Sequence, residues 1–464
     1  MAPDLSHSSV RSSSSHTSSA NSLGSKGPRS VSITSTASGS ANKSSGGFSF
    51  YIAGFFIVAQ LGGAGFVSLP SALAHTGWLG LPMMILFCFL VGFSATRLGY
   101  CYNILEERWP EQYSLPARQP YMEIADRAFG KHGRAITLFC VVASQFGGTT
   151  VFIILIAEML NSLITAVSIC EWVLIVGLLI TPFTWLGTPN DFWIGPMIAV
   201  VSTVLACVVI IVQALLDAPD VGNMVQHVNP SVTSFALGFS SIAFAYSGVS
   251  VFPTIQNDMV DRTQFWKSII IGFACILTLY IPVSSSGYAV YGTDVDTNIL
   301  FSVPQGIAVT MAMSLQIINL LGSYVIGFST VTQATEDILN IPKNFNWKRI
   351  VCRTFTVWLE VLICLAIPDF SLILNLIGGS TMTVCSFILP PLMYMKLASS
   401  GPLHTQRKIP LWMKIALIEI VIIGSIGGLL STITAVYAII TTPFSSSCFI
   451  EFTKNENISS ISPS

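Results

Sequence analysis

The residues able to do chemistry in this chain cluster where glycine and proline interrupt apolar runs. The first interruption is Gln60-Leu-Gly-Gly-Ala-Gly-Phe-Val-Ser-Leu-Pro70, inside an apolar segment from Phe48 to Leu73. Within a helix, glycine costs about 1 kcal/mol relative to alanine and proline about 3 kcal/mol. Gly62, Gly63, Ala64 and Gly65, followed by Pro70, therefore predict a helix that unwinds at membrane depth. Such a break frees N–H and C=O groups and is tolerated only where it lines a cavity or meets a ligand. The second interruption lies between Phe239 and Pro253, where Gly248 and Pro253 repeat the separation of Gly65 and Pro70. Each break creates a helix start with free N–H groups and a helix end with free carbonyls. The carboxylate and ammonium of an amino-acid zwitterion complement those ends. Neither 60–70 nor 240–256 contains Asp, Glu, Lys, Arg or His, which favours a neutral substrate over a dibasic or acidic one. Phe244 and Tyr246 are large enough to wall a pocket, packing being the alternative use, and the Ser247 hydroxyl can donate or accept.

Ionisable groups inside apolar segments are functional candidates by default. Glu360 stands nine residues into its segment, roughly 13 Å from the start at 1.5 Å per residue. It is a candidate for proton coupling; the alternative is a paired or protonated structural role. Glu158 and Glu419 lie nearer helix ends. A sodium site would instead combine break carbonyls with hydroxyls such as Ser329, Thr330 or Thr332, although such hydroxyls also bond to their own helix. The six histidines all fall in loops, tails or helix ends, so no buried histidine metal cluster is expected, and no G-x-x-x-x-G-K-[ST] loop supports an ATP-driven pump. The ten cysteines include no CxxC pair. Cys170 and Cys448 are expected on the same face, where they either pair or remain free thiols.

These residues are positioned by membrane-spanning helices. Half of the chain, 52%, is apolar and only 9% charged, against about 25% charged in soluble domains. The expected architecture is an all-α polytopic membrane protein with 11 transmembrane helices. Residues 1–46 are a Ser-rich segment expected to be disordered and cytoplasmic. The membrane domain is expected to cover 47–440, and 441–464 to be an extracytoplasmic tail. Of 21 basic residues, all but Lys454 fall in 1–46, in the loops 103–133, 258–266, 333–350 and 398–412, or at the helix ends beside those loops. The opposite loops, 74–77, 166–170, 217–232 and 292–304, hold none, as the positive-inside rule requires for a cytoplasmic amino terminus. Asn457 in Asn457-Ile-Ser459 is then an accessible glycosylation sequon, whereas Asn42 in Asn42-Lys-Ser44 is not.

The two breaks also mark a repeat. Gly65 and Gly248 stand 183 residues apart. Repeat one covers about 48–216, repeat two about 233–397, and helix 11 about 413–440. Five helices per half is an odd number, so the halves enter the membrane from opposite sides. Helices 1 and 6, the first of each half, are expected to be unwound and to bind ligand between them near the midplane.

Four stretches together resemble the amino acid/auxin permease family, which includes proton-coupled and vesicular amino acid transporters. They are Gly65 to Pro70 followed by Gly77-Trp78; Tyr121-Met-Glu-Ile-Ala with Ala128-Phe-Gly130 and Gly133-Arg134; Phe244 to Pro253 with Gln256 and Met259; and Ile367-Pro-Asp-Phe370 with Ile377-Gly-Gly379 and Leu389-Pro390. The resemblance implies the five-plus-five inverted-repeat fold of the bacterial leucine transporter and secondary-active amino-acid transport. It implies substrate contact by the backbone of Gly62, Gly63, Ala64 and Gly65 and of Tyr246 to Gly248. It also places Phe152 where the family often has Tyr, removing one polar contact, and sets helix 9 (about 351–368), with Glu360, away from the substrate. Gly322-Ser-Tyr324 in helix 8 (about 305–332) shares the likeness, with no chemistry legible in its spacing.

The expected function is transport of small neutral amino acids or related zwitterions by alternating access, coupled to H+ or alternatively Na+, with no cofactor, no nucleic acid and no metal. The membrane is the plasma membrane or a lysosomal or vesicular one. The alternative is an amino-acid-sensing receptor with little net transport, and a membrane-embedded enzyme is disfavoured.

Overall fold

Helix starts and stops follow the glycines closely in the computed structural model, which describes residues 47–113, 117–185, 194–221, 225–227, 229–342, 346–400, 406–441 and 448. In order the helices are α1 (Phe50–Leu61), α2 (Gly65–Thr76), α3 (Gly80–Arg108), the short α4 (Pro110–Tyr113), α5 (Pro120–Leu163), α6 (Ile169–Trp185), α7 (Ile194–Val221), α8 (Val232–Ala245), α9 (Phe252–Asn257), α10 (Phe265–Tyr291), the short α11 (Ile299–Ser302), α12 (Ile307–Ile338), α13 (Trp347–Ala366), α14 (Phe370–Ile377), α15 (Leu389–Ser399) and α16 (Leu411–Thr441). Among the described residues, seven helical stretches are long and apolar enough to cross a membrane, and α1, α6 and α8 are shorter apolar helices. The segment 1–46 and the Asn457 sequon lie outside the described residues.

Both expected interruptions are present, and each is narrower than the glycine-to-proline spacing suggests. Only Gly62 to Ala64 separate α1 from α2, and Pro70 sits inside α2. A 3₁₀ turn, Ser247–Ser250, lies between α8 and α9, and Pro253 falls in the first turn of α9, where its missing N–H has no helical partner to lose. Two further irregularities carry weaker sequence signals. Gly130, at φ 71°, kinks α5 and splits a lateral segment beginning at Pro120 from the long run to Leu163. Two π-helical turns, Gly378–Met382 and Val384–Ile388, join α14 to α15.

The glycines let backbones touch. A Cβ at Gly65 would stand 2.6 Å from the Cα of Ala245, so the start of α2 crosses directly over the end of α8. One at Gly378 would stand 2.3 Å from the Ser240 carbonyl oxygen, and one at Gly428 would stand 2.9 Å from that of Gly379. The π turns thus wedge between α8 and α16. Hydroxyls seal the wedge: Ser240 and Ser241 donate to Asn375 Oδ1 (2.8 and 2.9 Å), and Ser431 donates to the Ala236 carbonyl (2.7 Å).

The face at which α1 begins, termed the near face, is polar and cross-tied. Phe48 pairs with the loop after α9, exchanging backbone hydrogen bonds with Asp258 and Val260. Glu336, fully buried, accepts from Arg353 (2.8 Å) and Arg349 (3.1 Å), while Arg118 and Gln119 reach Asp337. On the far face Trp78 packs edge-on to Tyr288, which packs edge-on to His227. There Cys170, at the start of α6, forms a disulfide with Cys448, so the paired alternative holds; the other eight cysteines are free.

The Gly65 crossing has no room for a side chain, because the obstructing atom is backbone. Gly65→Ala is expected to destabilise the protein by about 1–3 kcal/mol. Gly322, also helical and with open space around it, is expected to accept alanine with a gain of up to about 1 kcal/mol. Thermal melting in detergent, followed by size-exclusion fluorescence, separates the two; equal shifts would refute the crossing.

Candidate substrate and coupling site

At the crossing, side chains from neighbouring helices cover the freed carbonyls. The Tyr280 hydroxyl of α10 lies 2.7 Å from the Leu61 carbonyl and 3.0 Å from that of Ala245, spanning the ends of α1 and α8. Gly62 O accepts from Thr203 Oγ1 of α7 (3.1 Å) and Asn319 Nδ2 of α12 (3.1 Å), and Gly63 O accepts from Gln316 Nε2 of α12 (2.7 Å). This corrects the expectation that both half-helix ends stand open to a ligand. A carbonyl buried without a partner costs roughly 1–3 kcal/mol, and the fold has supplied donors. The start of α2 is different: Ala64, at the capping position, provides no side-chain cap for the first amides.

A cavity of about 20 Å³ lies beside that start, lined by Gln60, Leu61, Ala64, Gly65, Gln145, Gly148, Thr149, Phe152, Phe244, Ser247 and Met382. No ionisable side chain is among these described residues. The volume suits a single water, so Phe152, Phe244 and Met382 close the site in this conformation. Of the residues named from sequence, Ala64, Gly65, Phe152, Phe244 and Ser247 meet here. Gly62, Gly63, Tyr246 and Gly248 do not line it. Tyr246, at the end of α8, turns away and is fully buried, stacking on Phe273 and packing edge-on to Tyr280 of α10. A Cβ at Gly63 would stand 3.3 Å from Phe152, and one at Gly248 would stand 3.0 Å from both Gln60 and Leu61. Sequence reasoning missed Gln145, Gly148 and Thr149, although they share one helix face with Phe152 at spacings of three, four and seven.

Glu360, on α13, is completely buried. Its Oε1 accepts from Thr149 Oγ1 (2.6 Å) and its Oε2 from the Tyr324 hydroxyl (2.6 Å). Tyr324 thereby gains the role its sequence context did not supply. Glu360 is accordingly one hydroxyl from the cavity, closer than the resemblance implied. Ser329 and Thr330 lie elsewhere, on the near-face side of α12, and Ser329 donates to the carbonyl of Ile326 (2.8 Å). They are not gathered with the break carbonyls, being three turns of helix from Asn319.

A second cavity of about 590 Å³ runs from Arg118, Gln119 and Asp258 at the near face to Ser323, Ala199 and Ala59, the neighbour of Gln60. Among these, Asp258 sits just past the end of α9, and burial pushes its carboxyl up to about 6, with Arg262 acting in the opposite sense.

Residues 46–438 match the family described as transmembrane amino acid transporter protein. Amino acid transporters AVT1B and AVT1J of Arabidopsis thaliana are 26% identical over 397 residues and 27% identical over 368 residues. Those alignments cover 82% and 76% of this chain, and 70% and 84% of the relatives. The fold is similar to that of MhsT in complex with L-phenylalanine, with TM-score 0.53, 12% identity and coverage of 82% of this chain and 98% of that one. It is similar also to a manganese transporter of Eremococcus coleocola, with TM-score 0.53, 15% identity and coverage of 88% and 92%. These likenesses establish the shared architecture, the inverted-repeat fold with helices 1 and 6 unwound.

A raised carboxyl binds its proton more tightly folded than unfolded, so stability falls as pH rises from the unfolded value near 4 to about 6 and stays lowered above it. Asp258→Asn removes this penalty. The variant is expected to melt a few degrees above wild type at neutral pH and to converge with it near pH 4; a constant offset across that window would contradict the assignment.

Proposed function

Because the chain belongs to the transmembrane amino acid transporter family and is an integral multi-pass membrane protein, we propose that it carries small neutral amino acids or related zwitterions by alternating access, coupled to protons. The observation that carries this reading is the cavity at the crossing of the two broken helices, bounded by the start of α2 without a side-chain cap, by the carboxamides of Gln60 and Gln145 and the hydroxyls of Thr149 and Ser247, with no charged side chain among the described residues. The substrate carboxylate meets the start of α2, where amides and helix dipole favour an anion. Phe152, Phe244 and Met382 must move aside to admit it. The 590 Å³ cavity then serves as the near-face path, while the Trp78, Tyr288 and His227 cluster closes the far side.

Protons suit the site better than sodium. A sodium ion at the α1 break would compete for the Gly62 and Gly63 oxygens with the side-chain N–H groups they already accept from. Glu360, by contrast, is an ionisable group one hydrogen bond from the cavity. The near face is assigned to the cytoplasm, on the strength of the basic residues concentrated there. The Cys170–Cys448 disulfide on the opposite face fits an oxidising compartment, which suits a plasma membrane or a lysosomal or vesicular one.

Two experiments test this. In proteoliposomes with pH and sodium gradients set independently, an acid-outside gradient is expected to drive radiolabelled neutral amino acid uptake, and a sodium gradient is not. Binding without flux or counterflow would favour a sensor instead. For orientation, mass-tagged maleimide applied to denatured, unreduced protein from cells should leave two of the ten cysteines untagged. Tagging of all ten would contradict the assigned faces.

A further inference from the structure

Thr149 belongs to two sites at once. Its side chain lines the small cavity, and its hydroxyl lies 2.6 Å from Glu360 Oε1. The same oxygen lies 2.8 Å from the Gln145 carbonyl and 3.0 Å from that of Phe146. A hydroxyl has one proton, so it can satisfy only one of these acceptors at a time. One turn earlier on the same face of α5, Gln145 also lines the cavity, and its buried Nε2 has no hydrogen-bond partner. Resting on the proton-coupled reading above, we propose that Glu360 is the proton-binding site of the transport cycle and that Thr149 reports its protonation to the substrate carboxylate.

When Glu360 is ionised, Thr149 and Tyr324 both donate to it, and the Thr149 proton is committed away from the cavity. When a proton binds, one carboxyl oxygen becomes a donor to Thr149 Oγ1. The Thr149 proton is released and turns toward the cavity, where, with Gln145 Nε2, it meets a carboxylate oxygen of the substrate. No bond other than the carboxyl O–H forms, and that proton leaves when the cycle reverses. Proton and substrate thus strengthen each other's binding, as linkage requires.

The surroundings leave this pair as the local switch. Tyr324 faces Glu360 from α12 and Thr149 from α5; on α13 itself Cys364, one turn along, donates to the Thr150 carbonyl (3.7 Å). From α6, Gly177 packs against Val361, and 173–185 contains no ionisable residue. The nearest charged group along α13, Arg353, is about 10 Å of helix away and pairs with Glu336. Glu360 therefore has hydroxyls and no cation as partners among the described residues.

The test uses the full chain in proteoliposomes and a radiolabelled mixture of glycine, alanine, serine, leucine and phenylalanine. The readout is the ratio of counterflow at about pH 5.5 to that at about pH 7.5. Wild type is expected to give a ratio of about fivefold or more, the low end of ordinary coupling. Glu360→Gln and Thr149→Val are expected to bring it to about one, whatever rate remains, and Thr149→Ser, which keeps the hydroxyl, to restore it. A wild-type ratio in Glu360→Gln overturns the proton site. Equal ratios in Thr149→Val and Thr149→Ser overturn the relay, even if Glu360→Gln fails to reach the membrane. Transport by wild type that is indifferent to pH overturns instead the proton-coupled reading beneath both.

Discussion

Two interrupted helices cross with no side chain between them, and that contact fixes the positions of everything around it. Gly65 lies against the backbone of Ala245, so α2 and α8 approach more closely than any pair bearing a Cβ at the contact could. The crossing leaves helix ends deep in the bundle, away from bulk water, where an unpaired carbonyl costs several kcal/mol. The remaining helices answer that demand. Tyr280 bridges the ends of α1 and α8, and Thr203, Gln316 and Asn319 bring α7 and α12 onto the carbonyls of Gly62 and Gly63. Polar groups deep in the bundle are present because the breaks require them.

This coverage is asymmetric, and the asymmetry has functional content. The acceptor side of the break is filled by protein donors, whereas the donor side, at the start of α2, faces the cavity without a side-chain cap. The site is therefore prepared for an anion-bearing group more than for a cation. It achieves this with backbone dipoles in place of a fixed charge, which suits a substrate that is neutral overall. A carboxyl, that of Glu360, is held one residue back from the cavity by Thr149.

The two faces of the bundle are tied by different chemistry. Ion pairs and amides around Glu336, Asp337 and Arg118 gather the near-face ends of α12 and α13 and the start of α5. Aromatic packing and a disulfide serve the far face. A cavity of about 590 Å³ opens beside Arg118 of the first set. The backbone hydrogen bonds between Phe48 and the loop after α9 tie the near-face ends of α1 and α9 to each other.

Much of this architecture was legible in the chain itself. Apolar runs, the one-sided distribution of basic residues and the paired glycine–proline interruptions determined a polytopic helical bundle built on two related halves, because lipid admits few alternatives to a helix and penalises charge. The breaks were legible for the same reason, since glycine clusters have a local energetic signature. What only the tertiary structure decided is which groups meet. Local sequence could not reveal that Tyr246 turns toward α10, that side chains 141 to 257 positions away would cover the Gly62 and Gly63 carbonyls, or that Thr149 would stand between a cavity and a carboxylate 211 residues distant. A hydroxyl or amide in a helix looks the same in sequence whether it bonds its own backbone or a neighbour's; the packing of other helices against it determines the partner.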